Sequence, residues 1–196
     1  MLNFRGWLME MHNVPKSHIK VKLPSAKQPV NFSCGASVLR AIAVHFKAGP
    51  NTEKFYIDRC NTTHDNGTHP KEIIRVAREL GLTVRAKSKM SISNLHEYLD
   101  EGIPVICSIQ AWGDQKKYTK NDHSGHYVVA IGYTKDKIYF MDPSIKGHRG
   151  FLPNEEFMER WHDEEADGTK LIRYGIAMWS PKAVNLQNLH KAKKIE

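Results

Sequence analysis

Cys34, His126, Asp142 and Gln28 are the residues whose types and spacing could support nucleophilic catalysis. A cysteine nucleophile reacts as the thiolate, so it needs a helix N-terminus or a cationic neighbour that stabilises the anion. It also needs a base within hydrogen-bond reach, a third group that orients the base, and donors for the developing oxyanion. The sequence offers one candidate for each role, and the surrounding elements decide whether the four can meet.

Cys34 lies at the start of a segment with helical periodicity, which Gly49-Pro50 ends. The apolar stripe of this predicted helix consists of Ala36, Val38, Leu39, Ile42, Ala43 and Phe46. The N–H groups of the first turn would face the sulfur, and the positive helix end would favour a thiolate. Gly35 would leave room for substrate, and Gln28 could fold its amide over the same space. Taken alone, Cys34 is better explained as a small buried hydrophobic residue.

His126 and Asp142 flank a predicted β-hairpin. His126 precedes the apolar strand Tyr127–Tyr133, Lys135-Asp136 makes the turn, and Asp142 follows the returning strand Lys137–Met141. The two residues should therefore end near the same edge of the hairpin. A carboxylate beside an imidazole fixes the ring tautomer and stabilises its protonated form. Taken singly, each is equally explained as an ordinary residue at a strand boundary.

The remaining pattern predicts helices in the first half of the chain and antiparallel strands in the second. This is an α+β fold in which a helical lobe packs beside a sheet. Thr68 is predicted to cap a helix that ends at Gly81, and Ser93 to cap a helix through Leu99. The other predicted elements are a short helix over 53–60, strands over 82–86, 103–109 and 172–179, and a helix over 152–161.

The 196 residues suit one domain. We expect the folded domain to span residues 26–182. Residues 1–25 are expected to be a lead-in that covers part of the body, with His18–Leu23 alternating like an edge strand. Residues 183–196 are expected to be a basic, frayed tail.

Composition narrows the functional classes. The net charge is +8, but no nucleic-acid motif accompanies it, so we expect no nucleic-acid partner. The three cysteines are too few for a disulfide framework; Cys107 should be an inert core thiol and Cys60 an exposed one. No apolar run approaches the roughly 20 residues of a membrane span. The first residues lack the features of a secretory signal, so a cytoplasmic location is expected.

A metal site is the main alternative use of the histidines. His123 and His126 have a His-x-x-His spacing, and His148 and His162 lie downstream. At a loop–strand junction, however, this spacing does not place two rings on one face as it can on a helix. His126 is also better used beside Asp142. We therefore expect no metal and no other cofactor.

Several motifs, in the same chain order, resemble the bacteriocin-processing peptidase family. They are Gln28 with five intervening residues before Cys34-Gly35-Ala36, then Gly125-His126-Tyr127 with Val-Val-Ala-Ile-Gly132, then Met141-Asp142-Pro143. This family is papain-like, cuts peptides after a double-glycine leader, and often precedes export ATPases. The resemblance covers roughly residues 26–180. It implies that Cys34 is the nucleophile, His126 the base, Asp142 its orienting group and Gln28 an oxyanion donor.

The chain also departs from that family. Ser33 stands where many members carry Asp, and no transporter segments follow, so we expect a free-standing relative. The resemblance implies a cysteine peptidase that binds an extended peptide or protein substrate across a cleft between the lobes. Small residues, Gly-Gly among them, would flank the scissile bond. Gly35, Trp112 and Gly125 are the candidate substrate-binding residues, although Trp112 is equally well explained as a tryptophan at the edge of the core.

Two alternatives stay open. A thioester intermediate on the same fold can be taken by an amine instead of water, which gives an acyl transferase or amidase. The fold can also serve as a peptide-binding module with a silent site. The oligomeric state is open as well, with a monomer favoured.

Overall fold

The computed structural model describes residues 18–112, 118, 124–145, 147 and 149–181. The helices are α1 (Cys34–His45), α2 (Glu53–Arg59), α3 (Pro70–Glu79), α4 (Ile92–Asp100) and α5 (Asn154–Arg160). The strands are β1 (Thr83–Lys87), β2 (Val105–Gln110), β3 (Gly125–Tyr133), β4 (Lys137–Met141), β5 (Arg149–Pro153), β6 (His162–Glu164), β7 (Lys170–Ile172) and β8 (Gly175–Trp179). Within these ranges no helix is long and apolar enough to cross a membrane.

An antiparallel sheet forms one layer of the molecule, in the order β1-β8-β2-β3-β4-β5. Every residue of β2 is buried, as its nearly continuous apolar run predicts for a central strand. Helix α1 packs on β3 from the helical side, and α2 and α3 pack on α1. The predicted α+β architecture is therefore confirmed.

The β3–β4 hairpin is the part of the sheet that concerns the candidate site. Its turn closes with a hydrogen bond from the Thr134 N–H to the Lys137 carbonyl at 2.8 Å, as the sequence predicts. Met141, the residue before Asp142, pairs with Val129 in β3. This register brings Asp142 to the end of the hairpin where His126 lies.

The lead-in pairs briefly with β3, near the end of that strand. The Lys20 and Val21 N–H groups both donate to the Ile131 carbonyl at 2.9 Å, and Ile19 forms a single bridge with Gly132. The predicted edge strand is thus reduced to one bridge. It lies next to an irregularity between Ala130 and Gly132 in the pairing of β3 with β4. Val21 nevertheless joins the hydrophobic core.

The expected domain boundaries are left as predictions. Residues 1–17 and the tail from 182 onward lie outside the described residues. The basic tail over 183–196 therefore falls wholly outside them, and the lead-in over 1–25 falls partly outside.

Both predicted helix caps are wrong by a short distance. His69, not Thr68, is the N-cap of α3, and its Nδ1 accepts from the Lys71 N–H at 3.1 Å. Ser91, not Ser93, caps α4 in a capping box with Asn94. Pro70 occupies the first position of α3, which places His69 at the cap, and Ser91 makes both hydrogen bonds of the capping box.

Two predicted elements prove to be composite. The helix expected over 152–161 begins only at Asn154, because the preceding residues form the edge strand β5. The strand expected over 172–179 divides into β7 and β8, because Arg173 between them has a left-handed backbone with φ of 46°.

The environment of Cys60 differs from the prediction. Cys60 is fully buried at the end of α2 instead of exposed, and burial raises the pKa of its thiol to about 12. Its polar sequence neighbours point outward while its own side chain turns into the core. Cys107 is buried in β2 as predicted, and burial raises its pKa as well. Neither thiol is suited to act as a thiolate nucleophile.

Candidate active site

Cys34 is the first residue of α1, where the predicted helix begins. The preceding Ser33 makes no side-chain cap to the helix, and its hydroxyl donates instead to the Val30 carbonyl at 3.1 Å. The first N–H groups of a helix have no partners within the helix itself. Because Ser33 turns away, these donors can serve an anion beside the Cys34 sulfur.

Gly35 packs tightly against the start of α3. A Cβ atom at this position would lie 2.6 Å from Thr68 Cβ and 3.3 Å from Ile73 Cδ1. The missing side chain therefore lets α1 approach Thr68 inside the protein. The structure explains Gly35 by this contact, and the room for substrate expected from the sequence stays a prediction.

His126 and Asp142 are joined by a hydrogen bond of 2.8 Å between Nε2 and Oδ1. His126 is only 1% exposed, and the Asp142 oxygen also accepts from the N–H and hydroxyl of Ser144 at 2.8 and 2.7 Å. The other ring nitrogen, Nδ1, is buried and makes no hydrogen bond of standard geometry with the described residues. The ring also interacts with the Cys34 thiol, so the structure brings these three predicted residues together.

Opposing effects set the protonation of this pair. Burial disfavours the imidazolium form of His126, but the hydrogen bond with Asp142 and the interaction with Cys34 outweigh it and raise its pKa to about 9. Burial also acts to raise the pKa of Asp142, yet the bonds with His126 and Ser144 hold that pKa below its ordinary value. These effects favour the imidazolium–carboxylate form of the pair at neutral pH.

Gln28 forms hydrogen bonds with two loops, one that follows Asp142 and one that precedes Cys34. Its backbone N–H donates to the Pro143 carbonyl at 3.1 Å, directly after Asp142. Its side-chain Nε2 donates to the carbonyls of Val30 and Asn31, each at 3.2 Å. The amide thus lies against the loop that leads to Cys34. Donation to an oxyanion requires one of these N–H groups to turn from a loop carbonyl to the substrate.

Trp112 and Gly125 flank His126. The Trp112 side chain is half exposed, and its ring centre lies 5.0 Å from that of His126. It therefore borders the imidazole at the surface of the protein. A Cβ atom on Gly125 would collide with the Asp163 carboxylate, so this glycine lets β6 approach the start of β3.

A polar network beneath the start of β3 was not predicted from the sequence. Asp163 accepts from Ser108 at 2.8 Å and from the Gln110 amide at 3.0 Å, and burial raises its pKa. The Tyr127 hydroxyl donates to Glu165 at 3.3 Å, and burial chiefly raises the pKa of Glu165 to about 7. The only signal in the sequence was the polar Ser108 and Gln110 in or directly after an otherwise apolar strand.

The alternative metal site gains no support from the described residues. Among them, no three His, Cys, Asp or Glu side chains lie close enough together to hold a metal ion. His123 and His148 lie outside the described residues, and His162 begins β6. The expected absence of a metal and a cofactor stays a prediction.

The fold and the site together define a class of protein. A cysteine at a helix start, packed against an antiparallel sheet that carries a histidine and its acidic partner, is the arrangement of papain-like cysteine peptidases. The chain belongs to the Peptidase C39-like family, whose model matches residues 2–166. The resemblance to double-glycine peptidases noted in the sequence is confirmed, and the chain is a cysteine peptidase.

Several solved structures have the same fold. A C39-like peptidase from Bacillus anthracis superposes with a TM-score of 0.62 at 18% identity, over 83% of this chain and 97% of that one. The peptidase domain of Streptococcus ComA, a bi-functional ABC transporter, superposes with a TM-score of 0.60 at 23% identity, over 81% of this chain and 98% of that one. A double-glycine motif protease from an AMS/PCAT transporter, solved in complex with the leader peptide, superposes with a TM-score of 0.56 at 18% identity, over 81% of this chain and 91% of that one. No curated protein sequence matches the chain.

Proposed function

We propose that this peptidase acts through Cys34 as nucleophile, His126 as acid–base partner and Asp142 as the group that orients His126. The observation that carries the proposal is the buried His126 ring, which bonds to Asp142 at 2.8 Å and also interacts with the Cys34 thiol. The uncapped start of α1 adds backbone donors beside the same sulfur. Nucleophile, base and orienting group are the minimum set for thiol catalysis.

The proposed reaction proceeds in two stages. The Cys34 thiolate attacks the peptide carbonyl carbon, and the oxyanion receives hydrogen bonds from the Cys34 N–H and the Gln28 amide. The imidazolium of His126 then gives its proton to the leaving amine as the C–N bond breaks, which leaves a thioester on Cys34. In the second stage His126 takes a proton from water as its oxygen attacks the thioester carbon. The C–S bond then breaks, which releases the acid product and returns Cys34 as thiolate beside the imidazolium of His126.

The proposed substrate is an extended peptide with small residues, such as Gly-Gly, at the scissile bond. Support comes from the double-glycine motif protease that shares this fold and was solved with a leader peptide. Trp112 and Gly125, on either side of His126, are proposed to contact the peptide. The proposal also includes residues 26–182 as the catalytic domain, a monomeric state and a cytoplasmic location.

The test is cleavage of a peptide library that varies the residues around a Gly-Gly pair, with the cut site located by mass spectrometry. The proposal predicts cleavage after small residues by the wild type, none by Cys34→Ala, and unchanged cleavage by the matched control Cys60→Ala. Cleavage by Cys34→Ala at the wild-type rate would refute the assignment of the nucleophile. Cleavage that ignores residue size would refute the proposed specificity.

The two alternatives make different predictions in the same assay. An acyl transferase would give mainly amide product when an amine is offered in competition with water, whereas a peptidase gives mainly the acid. A silent peptide-binding module would bind library members without cutting any of them, and Cys34 would show no enhanced thiol reactivity.

A further inference from the structure

Arg160 is a buried charged residue close to the candidate site that the sequence did not single out. It ends α5 and is only 8% exposed. Its Nη1 donates to the backbone carbonyls of Gln110 at 3.0 Å and Ala111 at 2.7 Å. Its Nη2 donates to the Tyr118 hydroxyl, and the guanidinium carbon lies 3.6 Å from the centre of the Tyr118 ring. Most contacts of this cation thus go to one short stretch of chain.

That stretch is where the chain leaves β2 on its way to the candidate site. Residue 110 is the last of β2, and Ala111 directly precedes Trp112. Ser124, at the other end of the connection between β2 and β3, is bonded to the same two residues. The Ala111 N–H donates to the Ser124 carbonyl at 3.0 Å, and the Ser124 N–H donates to the Gln110 side-chain oxygen at 3.0 Å. Tyr118, within the excursion, is buried with 4% exposure. Arg160 therefore contacts both the beginning and an inner residue of the connection between β2 and β3.

These contacts suit an arginine better than a lysine. Three acceptors in different directions and an aromatic face match the planar guanidinium, whereas a lysine ammonium is a point charge on a flexible stem. Burial of the charge is offset by the Glu156 carboxylate one turn earlier on α5, which accepts from Arg160 Nε at 2.9 Å. An exposed arginine is solvated by water, whereas the buried Arg160 guanidinium is solvated by these protein acceptors.

We propose that Arg160 is a positioning residue for Trp112: it fixes the direction in which the chain leaves β2 and so keeps the indole ring against His126 as a wall of the substrate cleft. This inference rests on the proposed function for the identity of the cleft. It goes beyond that function by assigning part of the peptide-binding geometry to a buried arginine that does not itself contact the substrate.

Arg160→Lys is the main test, with Tyr118→Phe as a second variant and Glu156→Gln as the matched control. Glu156→Gln removes the ion pair within α5 but leaves the bonds from Arg160 to the backbone. We expect Arg160→Lys to raise the KM of a cleaved Gly-Gly peptide about tenfold with a smaller change in kcat, because a displaced wall weakens binding throughout the reaction. Tyr118→Phe should show a smaller rise, and Glu156→Gln almost none.

A spectroscopic measurement separates this positioning role from general destabilisation. A protonated imidazole quenches the fluorescence of an indole that it contacts. The emission of Trp112, measured as the difference between the wild type and Trp112→Phe, should therefore rise as the pH increases through the pKa of His126, about 9. Arg160→Lys should abolish this pH-dependent component while the folded chain retains a cooperative melting transition.

The result that overturns the inference is an Arg160→Lys protein with wild-type KM and wild-type pH-dependent Trp112 emission. An equally large effect of Glu156→Gln would also overturn it, because loss of the ion pair on α5 would then explain the result without the bonds from Arg160 to Gln110, Ala111 and Tyr118. If wild-type protein cleaves no peptide, the proposed function fails, and the emission of Trp112 alone still decides the inference.

Discussion

The protonation of His126 is the property of a single residue on which the proposed chemistry depends most. Burial alone would make the ring neutral, but Asp142 and Cys34 raise its pKa to about 9. The imidazolium is the form that protonates the leaving amine and pairs with a thiolate. We therefore expect kcat/KM for a cleaved peptide to fall as the pH rises through about 9, measured over a series of buffers at constant ionic strength. A rate that keeps rising well above that pH would contradict this role.

Asp142 supplies the strongest effect that favours the protonated ring. Asp142→Asn should move the alkaline limb of the pH profile to lower pH, because the neutral amide stabilises the imidazolium less. It should also lower kcat/KM by about a hundredfold, since the ring loses its orientation. The measurement is the pH dependence of peptide cleavage by both proteins. Asp136→Asn, in the exposed hairpin turn, is the matched control and should leave the profile unchanged.

Among the elements, the contact between the lead-in and β3 depends on the missing side chain of Gly132. A Cβ atom on Gly132 would collide with the His18 carbonyl and approach Ile19 Cα within 2.8 Å. Gly132→Ala should therefore displace this segment and destabilise the protein by about 1–3 kcal/mol, measured by urea unfolding.

Gly150→Ala is the matched control for that substitution. Gly150 lies in β5 of the same sheet, and its Cβ would meet only the flexible end of Ile145, at 3.0 Å. It should therefore cost less than Gly132→Ala. Equal stability of the Gly132→Ala protein and the wild type would show that the lead-in does not depend on this contact.

The elements that the sequence predicts best are those with a long periodic pattern. The apolar stripe behind Cys34 predicts α1, and two apolar runs around Lys135-Asp136 predict the β3–β4 hairpin, so the candidate triad follows from local pattern. Strands β6 and β7 have three residues each, too few for any period to show.

Contacts between distant parts of the chain explain what the sequence did not predict. The burial of Cys60, the Asp163 network and the role of Arg160 all depend on residues far away in the chain. Asp163 meets Ser108 only because β6 packs on β2, and Arg160 meets Ala111 only because α5 packs there too. Local propensity carries no information on such contacts.

At the scale of the whole molecule, the buried ionisable groups predict how stability changes with pH. The pKa of Glu165 rises from 4.5 to about 7 on folding and that of His126 from 6.5 to about 9. A group whose pKa rises on folding loses its stabilising effect as the pH increases from its unfolded to its folded value. The pKa of Asp142 is lowered on folding, so its effect on stability has the opposite sign. The stabilisation that Asp142 provides is lost in acid, as the pH falls below the ordinary aspartate pKa of 3.8.

Stability should therefore decline as the pH rises from about 6.5 to about 9, measured by urea unfolding across that range. Below about 6.5 the partly buried rings of His45 and His96, whose pKa burial lowers, act in the opposite direction. Glu165→Gln should flatten the part of the curve between about 4.5 and about 7. The matched control Glu155→Gln replaces an exposed carboxylate of α5 and should leave the curve unchanged. A Glu165→Gln curve with the wild-type slope would show that this carboxylate does not take up a proton on folding.

The reactivity of Cys34 towards iodoacetamide at about pH 6 shows whether this thiol is an activated nucleophile, because ordinary thiols are almost fully protonated at that pH. Alkylation is followed by peptide mapping, with the urea-unfolded chain as reference. Cys60 and Cys107 should stay unmodified in the folded protein, because both are fully enclosed and burial raises the pKa of each thiol, whereas Cys34 is 8% exposed. We predict that Cys34 reacts faster in the folded than in the unfolded chain, and that His126→Ala removes this advantage while the protein stays folded. A folded wild-type protein whose Cys34 reacts no faster than in the unfolded chain would contradict the account.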